Sequence, residues 1–227
     1  MATDLSSSVL SALYQRAHAQ DIEYTASGYW QALMQYHFPL REGYAVLCEQ
    51  SPDDDDRTRI DQIIFHIRPH TRFLVRVCMI EGKRRGAGSA HIVAAEDQAR
   101  NAARKAIETG TVPRVFALTH WRTHFRVWEY DPEEGILNPR DEGSTEQGDR
   151  NSYLEIASEH GAATFNRFVE MIKGFTNAQY GPPPSNNEGA GPSSGPGDVR
   201  AEPAGQHPEG YQYEAVWESS AQWPGGI

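Results

Sequence analysis

Cysteine, net positive charge and long hydrophobic runs are scarce in this 227-residue chain, and each scarcity excludes a class of protein. The two cysteines, Cys48 and Cys78, lie in apolar runs, which predicts small buried thiols in a reducing compartment rather than a disulfide framework. No stretch approaches the roughly 18 apolar residues of a membrane span, and residues 1–20 lack the apolar core of a secretory signal. We therefore expect an intracellular protein, cytoplasmic or nuclear, with no membrane partner.

The formal net charge of −10 is atypical of a protein that coats nucleic acid, because phosphate binding needs a basic face. The negative net charge does not exclude a small basic cleft. The triplet of Lys83, Arg84 and Arg85 is the candidate lining of such a cleft, although simple exposure of these side chains explains the triplet equally well.

Residues 181–227 have the composition of a chain that does not fold alone. This segment is rich in Pro, Gly and Ser and contains six acidic residues against one base, Arg200, so it buries too little apolar surface to offset its ordering entropy. We predict an N-terminal extension over 1–24, one domain over 25–176 and a disordered acidic tail over 177–227. Four aromatic residues are unusual in such a tail and suggest either docking on a protein partner or folding back on the domain: Tyr211, Tyr213, Trp217 and Trp223.

The hydrophobic pattern alternates between helical and strand-like periods. It predicts helices over 8–19, 27–36, 92–108 and 162–173, and strands over 44–49, 59–67, 73–83, 114–119, 124–130 and 153–156. Between the last two strands, residues 131–151 are predicted to form a polar loop. The run over 73–83 is apolar until its end, which is typical of a central strand covered on both faces. The fold class that follows is α/β, with a mixed central sheet flanked by helices.

An acid and a lysine converge at the polar end of that central strand. Glu81 and Lys83 are two residues apart and so point to the same face of a strand, while Asp61 would lie beside Glu81 if the two strands pair. Two adjacent carboxylates repel each other, and a hard divalent cation would relieve the repulsion. Lysine is also the cation that can release a proton, which arginine cannot. From these residues alone, a solvated strand end is the commoner interpretation and a metal site the alternative.

The same motifs resemble those of the PD-(D/E)XK nuclease-like superfamily, and most of all its fungal restriction-endonuclease-like proteins of unassigned role. The specific motifs contain Asp61 in Arg59-Ile-Asp-Gln-Ile-Ile64, Glu81 and Lys83 in Met79-Ile-Glu-Gly-Lys-Arg84, and Gln98 in Ala94-Ala-Glu-Asp-Gln98. Glu49 matches the first acidic position of the pattern. The resemblance covers residues 25–176 and implies a restriction-endonuclease-like fold.

The resemblance also implies a function, the hydrolysis of phosphodiester bonds in DNA or RNA with Mg²⁺ or Mn²⁺. It implies that Asp61 and Glu81 hold the ion, with the Gly82 carbonyl as a further ligand and Glu49 acting through water or a second ion. Lys83 would position the nucleophile. In the same pattern, the side chain that orients Lys83 or the attacking water is Gln98.

Two departures from the family pattern concern positions next to the acids. Ile60 stands where the family often has proline, and Gly82 stands where an apolar residue or cysteine is usual. A second hypothesis from a different class of function is that the domain is a catalytically inactive module that retains the fold and binds a protein or nucleic acid. The acidic net charge favours this alternative, and the complete Asp61, Glu81 and Lys83 set favours the nuclease.

Histidines at 66 and 70, and at 120 and 124, have a spacing that would suit zinc on a helix. Neither pair lies on a predicted helix, so we interpret them as exposed or partly buried histidines. The predicted hairpin over 114–130 contains three aromatic residues that either stack on nucleic-acid bases or, as is commoner, pack on the core. These residues are Trp121, Trp128 and Tyr130.

Overall fold

The computed structural model describes residues 8–20, 22–51, 59–68, 73–83, 88–110, 112–141 and 143–181. All of them fall within one compact unit, Met1–Ser185, while a second unit, Asn186–Ile227, lies outside the described residues. The predicted tail aromatics, Arg84, Arg85 and His70 also lie outside them. The predicted division into three regions stays a prediction.

Four helices and seven strands occur in the described part of the chain. The helices are α1 (Ser8–Ala19), α2 (Glu23–His37), α3 (Ser89–Glu108) and α4 (Glu159–Tyr180). The strands are β1 (Tyr44–Gln50), β2 (Ile60–Ile67), β3 (Leu74–Lys83), β4 (Phe116–Trp121), β5 (His124–Asp131), β6 (Ile136–Pro139) and β7 (Leu154–Glu155). None of the helices in these ranges is long and apolar enough to cross a membrane.

The strands form one mixed sheet in the order β1-β2-β3-β4-β5-β6, and β7 also pairs with β5. Only the β3–β4 pairing is parallel among these strands, and α3 makes the crossover that a parallel connection requires. β3 lies inside the sheet, and seven of its ten residues are buried, six of them in the run from Val77 to Gly82. The predicted α/β class and the central position of this strand are confirmed.

Helices cover the two faces of the sheet with different side chains. α3 packs on one face through small residues, which allow the helix backbone to approach the strands closely: Ala95, Ala99, Ala102, Ala103 and Ala106. The other face packs against α2 and α4 through an aromatic cluster in which Trp30, Phe125 and Phe165 contact one another. Both faces of β3 and β4 are therefore shielded from water.

The structure corrects the prediction for residues 131–151, which we expected to form a polar loop. β6 lies within this segment and pairs with β5 through a tight hairpin, in which Asp131 accepts hydrogen bonds from the backbone N–H groups of Glu133 and Glu134 and Gly135 has a φ of +69°. With only Ile136 and Leu137 as apolar residues, the strand is too short to produce a recognisable period. The last helix was also predicted too short, over 162–173, since α4 begins after the Ser158 N-cap and continues to Tyr180.

The cysteines are free, and Cys78 is buried as predicted, whereas Cys48 is only half-buried. Burial raises the pKa of the Cys48 thiol, and the negative charges of Glu49 and Asp61 raise it further. Cys48 is therefore a neutral thiol next to two carboxylates of the predicted site.

Candidate active site

Asp61 and Glu81 lie on neighbouring antiparallel strands and contact each other through backbone and side chain. The β2–β3 pairing matches Gln62 with Ile80, so the next position along each strand sets Asp61 opposite Glu81. The backbone N–H of Asp61 donates to Oε2 of Glu81 at 3.3 Å, and Oδ2 of Asp61 accepts from the backbone N–H of Gly82 at 2.9 Å. The structure thus brings together the two predicted carboxylates.

Lys83 joins these carboxylates from the same strand as Glu81. Its Nζ donates to Oε1 of Glu81 at 2.9 Å, as expected for residues two apart on one face of a strand. The Glu81 side chain is 2% exposed, whereas that of Lys83 is 20% exposed. Glu81 is the buried centre of the cluster, and the ammonium group of Lys83 is its solvent-facing edge.

The electrostatics of the cluster follow from this burial. Burial and, after it, the negative charge of Asp61 together raise the pKa of Glu81 to about 7, even though the ammonium of Lys83 offsets part of the shift. A carboxyl group in this position holds its proton close to neutral pH unless additional positive charge arrives. The site therefore favours a ligand that carries positive charge.

A hard divalent cation fits this donor set. Mg²⁺ is commonly bound by one or two carboxylates, with water and other oxygen atoms completing its shell. No group of three or more His, Cys, Asp or Glu side chains arranged to hold a metal occurs in the ranges the structure describes. Two carboxylates, Asp61 and Glu81, therefore provide the side-chain oxygens, and backbone carbonyls and water would have to provide the rest.

Glu49, the third predicted acid, lies on β1 beside Asp61. The β1–β2 pairing matches Cys48 with Gln62 and Gln50 with Ile60, and these pairs bracket Glu49 and Asp61. The Glu49 side chain is exposed, and its backbone has a φ of +49°, in the left-handed region. No hydrogen bond joins its carboxylate to Asp61 or Lys83 within the described residues. Glu49 is adjacent to the cluster without being part of it.

Gln98 lies half-buried on α3. Within the described part of the chain its side chain makes no hydrogen bond to Lys83 or Glu81, so its predicted role is not built into the packing. The buried polar residue of this helix is Glu96, which accepts from the backbone N–H of Gly148 at 2.8 Å and from the hydroxyl of Tyr153 at 3.0 Å.

The Glu96 network reaches the strand next to the carboxylates. The Tyr153 hydroxyl is 2.7 Å from Oγ1 of Thr119, and Thr119 is the β4 partner of Glu81. Sequence reasoning missed Glu96, although a signal was present. It lies four residues after Ile92 and three before Ala99, within the apolar stripe of α3, where an acid is buried only with partners.

The histidines at 120 and 124 lie on different strands. His120 is buried between Gly82 and Trp30, with its ring stacked on the indole at 5.2 Å, and burial together with the charge of Lys83 lowers its pKa to about 3. His124 stacks on Trp121 with ring centroids 4.1 Å apart. Trp128 and Tyr130 are buried in the core, as the commoner interpretation predicted, whereas Trp121 is half-buried.

No family model matches the sequence, and no curated protein matches it. Among solved structures, the chain is similar to the type IIG restriction endonuclease BpuSI, with 17% identity over 66% of this chain and a TM-score of 0.38. The match spans 16% of that endonuclease. The chain is also similar to NucC of P. aeruginosa ATCC27853 in its cAAA-bound form, with 10% identity over 80% of this chain and 92% of that chain and a TM-score of 0.36. Likenesses this distant carry no argument about function, which rests on the residues themselves.

Proposed function

We propose that the domain is a metal-dependent nuclease that hydrolyses phosphodiester bonds of DNA or RNA. One observation carries the proposal: Glu81 is a fully buried carboxyl group that contacts both the Asp61 backbone and the Lys83 ammonium group. Burying an acid is costly, and a purely structural strand end has no need of one. A strongly perturbed carboxyl beside a second acid and a lysine is typical of a catalytic site.

Asp61 and Glu81 would hold Mg²⁺ or Mn²⁺, with the Gly82 carbonyl and Glu49 as the further ligands. The bound ion would supply charge stabilisation to the phosphate group and make water a better nucleophile. The exposed position of Glu49 suits a ligand that acts through water. The buried position of Glu81 suits a direct ligand, because few waters reach it.

Lys83 is the proposed catalytic cation. Its ammonium group is held in place by Glu81 and is partly exposed, so it can meet a phosphate that approaches the strand end. There it would orient the attacking water and stabilise the charge that develops on the phosphate oxygens. Attack of water on phosphorus breaks the bond to the leaving oxygen and gives a phosphate monoester and a hydroxyl. Gln98, on the helix that covers this face, would orient the water or Lys83.

A second candidate function is a non-catalytic module that binds a protein or nucleic acid through the same fold. The net charge of −10 favours a module that binds a protein, because a chain this acidic gains little long-range attraction for nucleic acid. The two functions differ in one measurable property, since only the nuclease turns over its bound partner.

The test measures cleavage of labelled single- and double-stranded DNA and RNA with Mg²⁺ or Mn²⁺. Lys83→Ala should lower the rate by about 10² or more while leaving metal binding intact, because Asp61 and Glu81 remain. Lys83→Arg should also fail, because guanidinium keeps its proton and has a different shape. Lys173→Ala is the matched control, since Lys173 also pairs with a glutamate, Glu42, at 2.7 Å.

Rate loss in Lys83→Ala with full activity in Lys83→Arg would assign Lys83 a purely electrostatic role. Absence of cleavage of all four substrates by the wild-type protein, with either metal, would reject the nuclease. Binding of nucleic acid or protein without turnover would then support the interaction module.

A further inference from the structure

A second cationic side chain lies one strand away from Lys83. Trp121 is the partner of Lys83 in the parallel β3–β4 pairing, and paired residues of neighbouring strands point to the same face of a sheet. The guanidinium carbon of Arg150 lies over the Trp121 ring, 4.2 Å from its centroid. Lys83, Trp121 and Arg150 therefore follow one another across the face on which Glu81 is buried.

The Trp121 indole is fixed on both faces. The His124 ring is stacked on it at 4.1 Å with an interplanar angle of 9°, and Nδ1 of His124 is 3.3 Å from Oε2 of Glu155 on β7. Two groups at similar distances from one ring centroid cannot share a face, so the indole lies between His124 and Arg150. A nucleobase has no open face to stack on here, which rules out the base-stacking interpretation of Trp121.

The backbone around Arg150 is held in place by hydrogen bonds to the side chains of Asp149 and Glu96. The side chain of Asp149 accepts from the backbone N–H of Asn151 at 3.0 Å and from Oγ of Ser152 at 2.6 Å. One residue earlier, the backbone N–H of Gly148 donates to the buried Glu96 carboxylate on α3. The segment is thus fastened to the helix that covers the site.

The Arg150 guanidinium is exposed and makes no ion pair with a carboxylate among the residues that the structure describes. Other arginines are paired in this way, as Arg104 is with Glu108 and Arg140 with Glu129. In a chain with 31 acids against 21 bases, an arginine that stacks on an indole instead of meeting an acid keeps its N–H donors open to an incoming anion.

We propose that Arg150 binds a backbone phosphate of the nucleic-acid strand next to the phosphate that Lys83 meets; the subsite rests on the proposed function. The cation–π contact with Trp121 holds the guanidinium plane while its edge stays open, and an edge of two N–H groups matches two phosphate oxygens. Lys83 and Arg150 together form a short positive track in an acidic protein. Such a track suits a strand of linked phosphates better than a single free phosphate.

The test measures affinity for labelled single- and double-stranded oligonucleotides by fluorescence anisotropy, across a salt series, in the full chain with EDTA in place of the divalent ion to prevent turnover. Arg150→Ala should weaken binding by about tenfold and lower the salt slope by about one. Arg150→Gln should have the same effect on affinity and salt slope, so the test does not depend on the alanine variant folding correctly. Arg150→Lys should keep the salt slope but recover only part of the affinity, because an ammonium lacks the fork.

Arg167→Ala is the matched control. Arg167 is also an exposed arginine, on α4 in the groove it lines with α2, and its guanidinium donates to Oγ1 of Thr164. Affinity and salt slope that are equal for Arg150→Ala and Arg167→Ala would overturn the subsite, even if the wild-type protein cleaves. Inorganic phosphate that competes as well as an unlabelled oligonucleotide at equal phosphate concentration would overturn the assignment to a strand. Binding that depends on Arg150, in a wild-type protein that never cleaves, would support the subsite and reject the nuclease alone.

Discussion

The imidazole ring of His120 occupies the space in which a side chain at position 82 would have to lie. A Cβ on Gly82 would come within 2.2 Å of Cε1 and 2.4 Å of Nε2 of His120, its partner on β4. Trp30 stacks on the other side of the imidazole and prevents it from moving away. The glycine at position 82 is therefore explained by its histidine neighbour, and its backbone N–H donates to Oδ2 of Asp61.

A double-mutant cycle tests this relationship. Gly82→Ala should lower the free energy of unfolding by about 1–3 kcal/mol, because the methyl group overpacks against a ring that cannot yield. His120→Ala should also destabilise, by opening a cavity beside Trp30. The double variant should be more stable than the sum of the two losses predicts, as measured by urea denaturation. Additive losses would contradict the steric contact.

The buried Glu81 makes metal binding depend on pH. Its pKa is raised to about 7, so the folded protein holds this proton more tightly than the unfolded chain, and the resulting stability is lost as the pH rises from the ordinary glutamate value through 7. A divalent ion needs the ionised carboxylate. The rise in melting midpoint on adding Mn²⁺ should therefore grow between about pH 6 and about pH 8.

Asp61→Ala should abolish this metal effect. Without metal, its stability reflects two opposed changes, the relieved repulsion with Glu81 and the lost acceptor of the Gly82 N–H. Asp97→Ala, on the exposed side of α3, is the control and should respond to Mn²⁺ as the wild type does. Identical melting curves of the wild-type protein with and without Mn²⁺ at about pH 8 would count against the site.

Glu49 has a backbone conformation that costs free energy. At a φ of +49°, a residue with a Cβ is disfavoured by about 1–2 kcal/mol relative to its ordinary conformation, whereas glycine is not. Glu49→Gly should therefore be more stable than Glu49→Ala by about 1 kcal/mol in urea denaturation. Gln50 is the control on the same strand, because glycine there should be less stable than alanine.

The same pair of Glu49 variants tests its role at the metal. If Glu49 is a ligand through water, both substitutions should reduce the Mn²⁺ shift of the melting midpoint equally, whatever their own stabilities. A non-glycine residue in the left-handed region beside a site is a common form of stored backbone strain at functional positions. Full retention of the Mn²⁺ shift in both variants would remove Glu49 from the site.

The parts of this fold that were predicted from sequence are those with a strong local signal. The apolar run of β3 and its polar end gave its position in the sheet, and the two-residue spacing of Glu81 and Lys83 gave their contact. The strand that was missed, β6, has two apolar residues and depends on pairing with β5 for its existence. Local periodicity does not report such a strand, because its stability comes from tertiary contacts.

The contacts of the candidate site also divide into those that could be predicted from the sequence and those that could not. Asp61 could be paired with Glu81 from sequence once two strands were assumed to be neighbours. The contacts of Arg150 with Trp121, and of Glu96 with Gly148, join residues 29 and 52 positions apart through a loop without a period of its own. No spacing rule predicts them, because the loop path is set by buried hydrogen bonds.

Two residues of one helix, Glu96 and Gln98, should separate structure from chemistry. Glu96 is buried, and Glu96→Ala would leave the N–H of Gly148 without its acceptor, so we expect a loss of about 1–3 kcal/mol in urea denaturation. Because the same contact fastens the segment that carries Arg150, proteolytic cleavage within residues 143–150 should become faster and affinity for oligonucleotides should fall.

Gln98 is half-buried, and its side chain makes no hydrogen bond among the described residues, so Gln98→Ala should change the free energy of unfolding by less than about 0.5 kcal/mol. If Gln98 orients the attacking water, its alanine variant should nevertheless lower the cleavage rate by about tenfold or more with affinity unchanged. A stable Glu96→Ala protein, or a Gln98→Ala protein with full activity, would contradict the respective assignment.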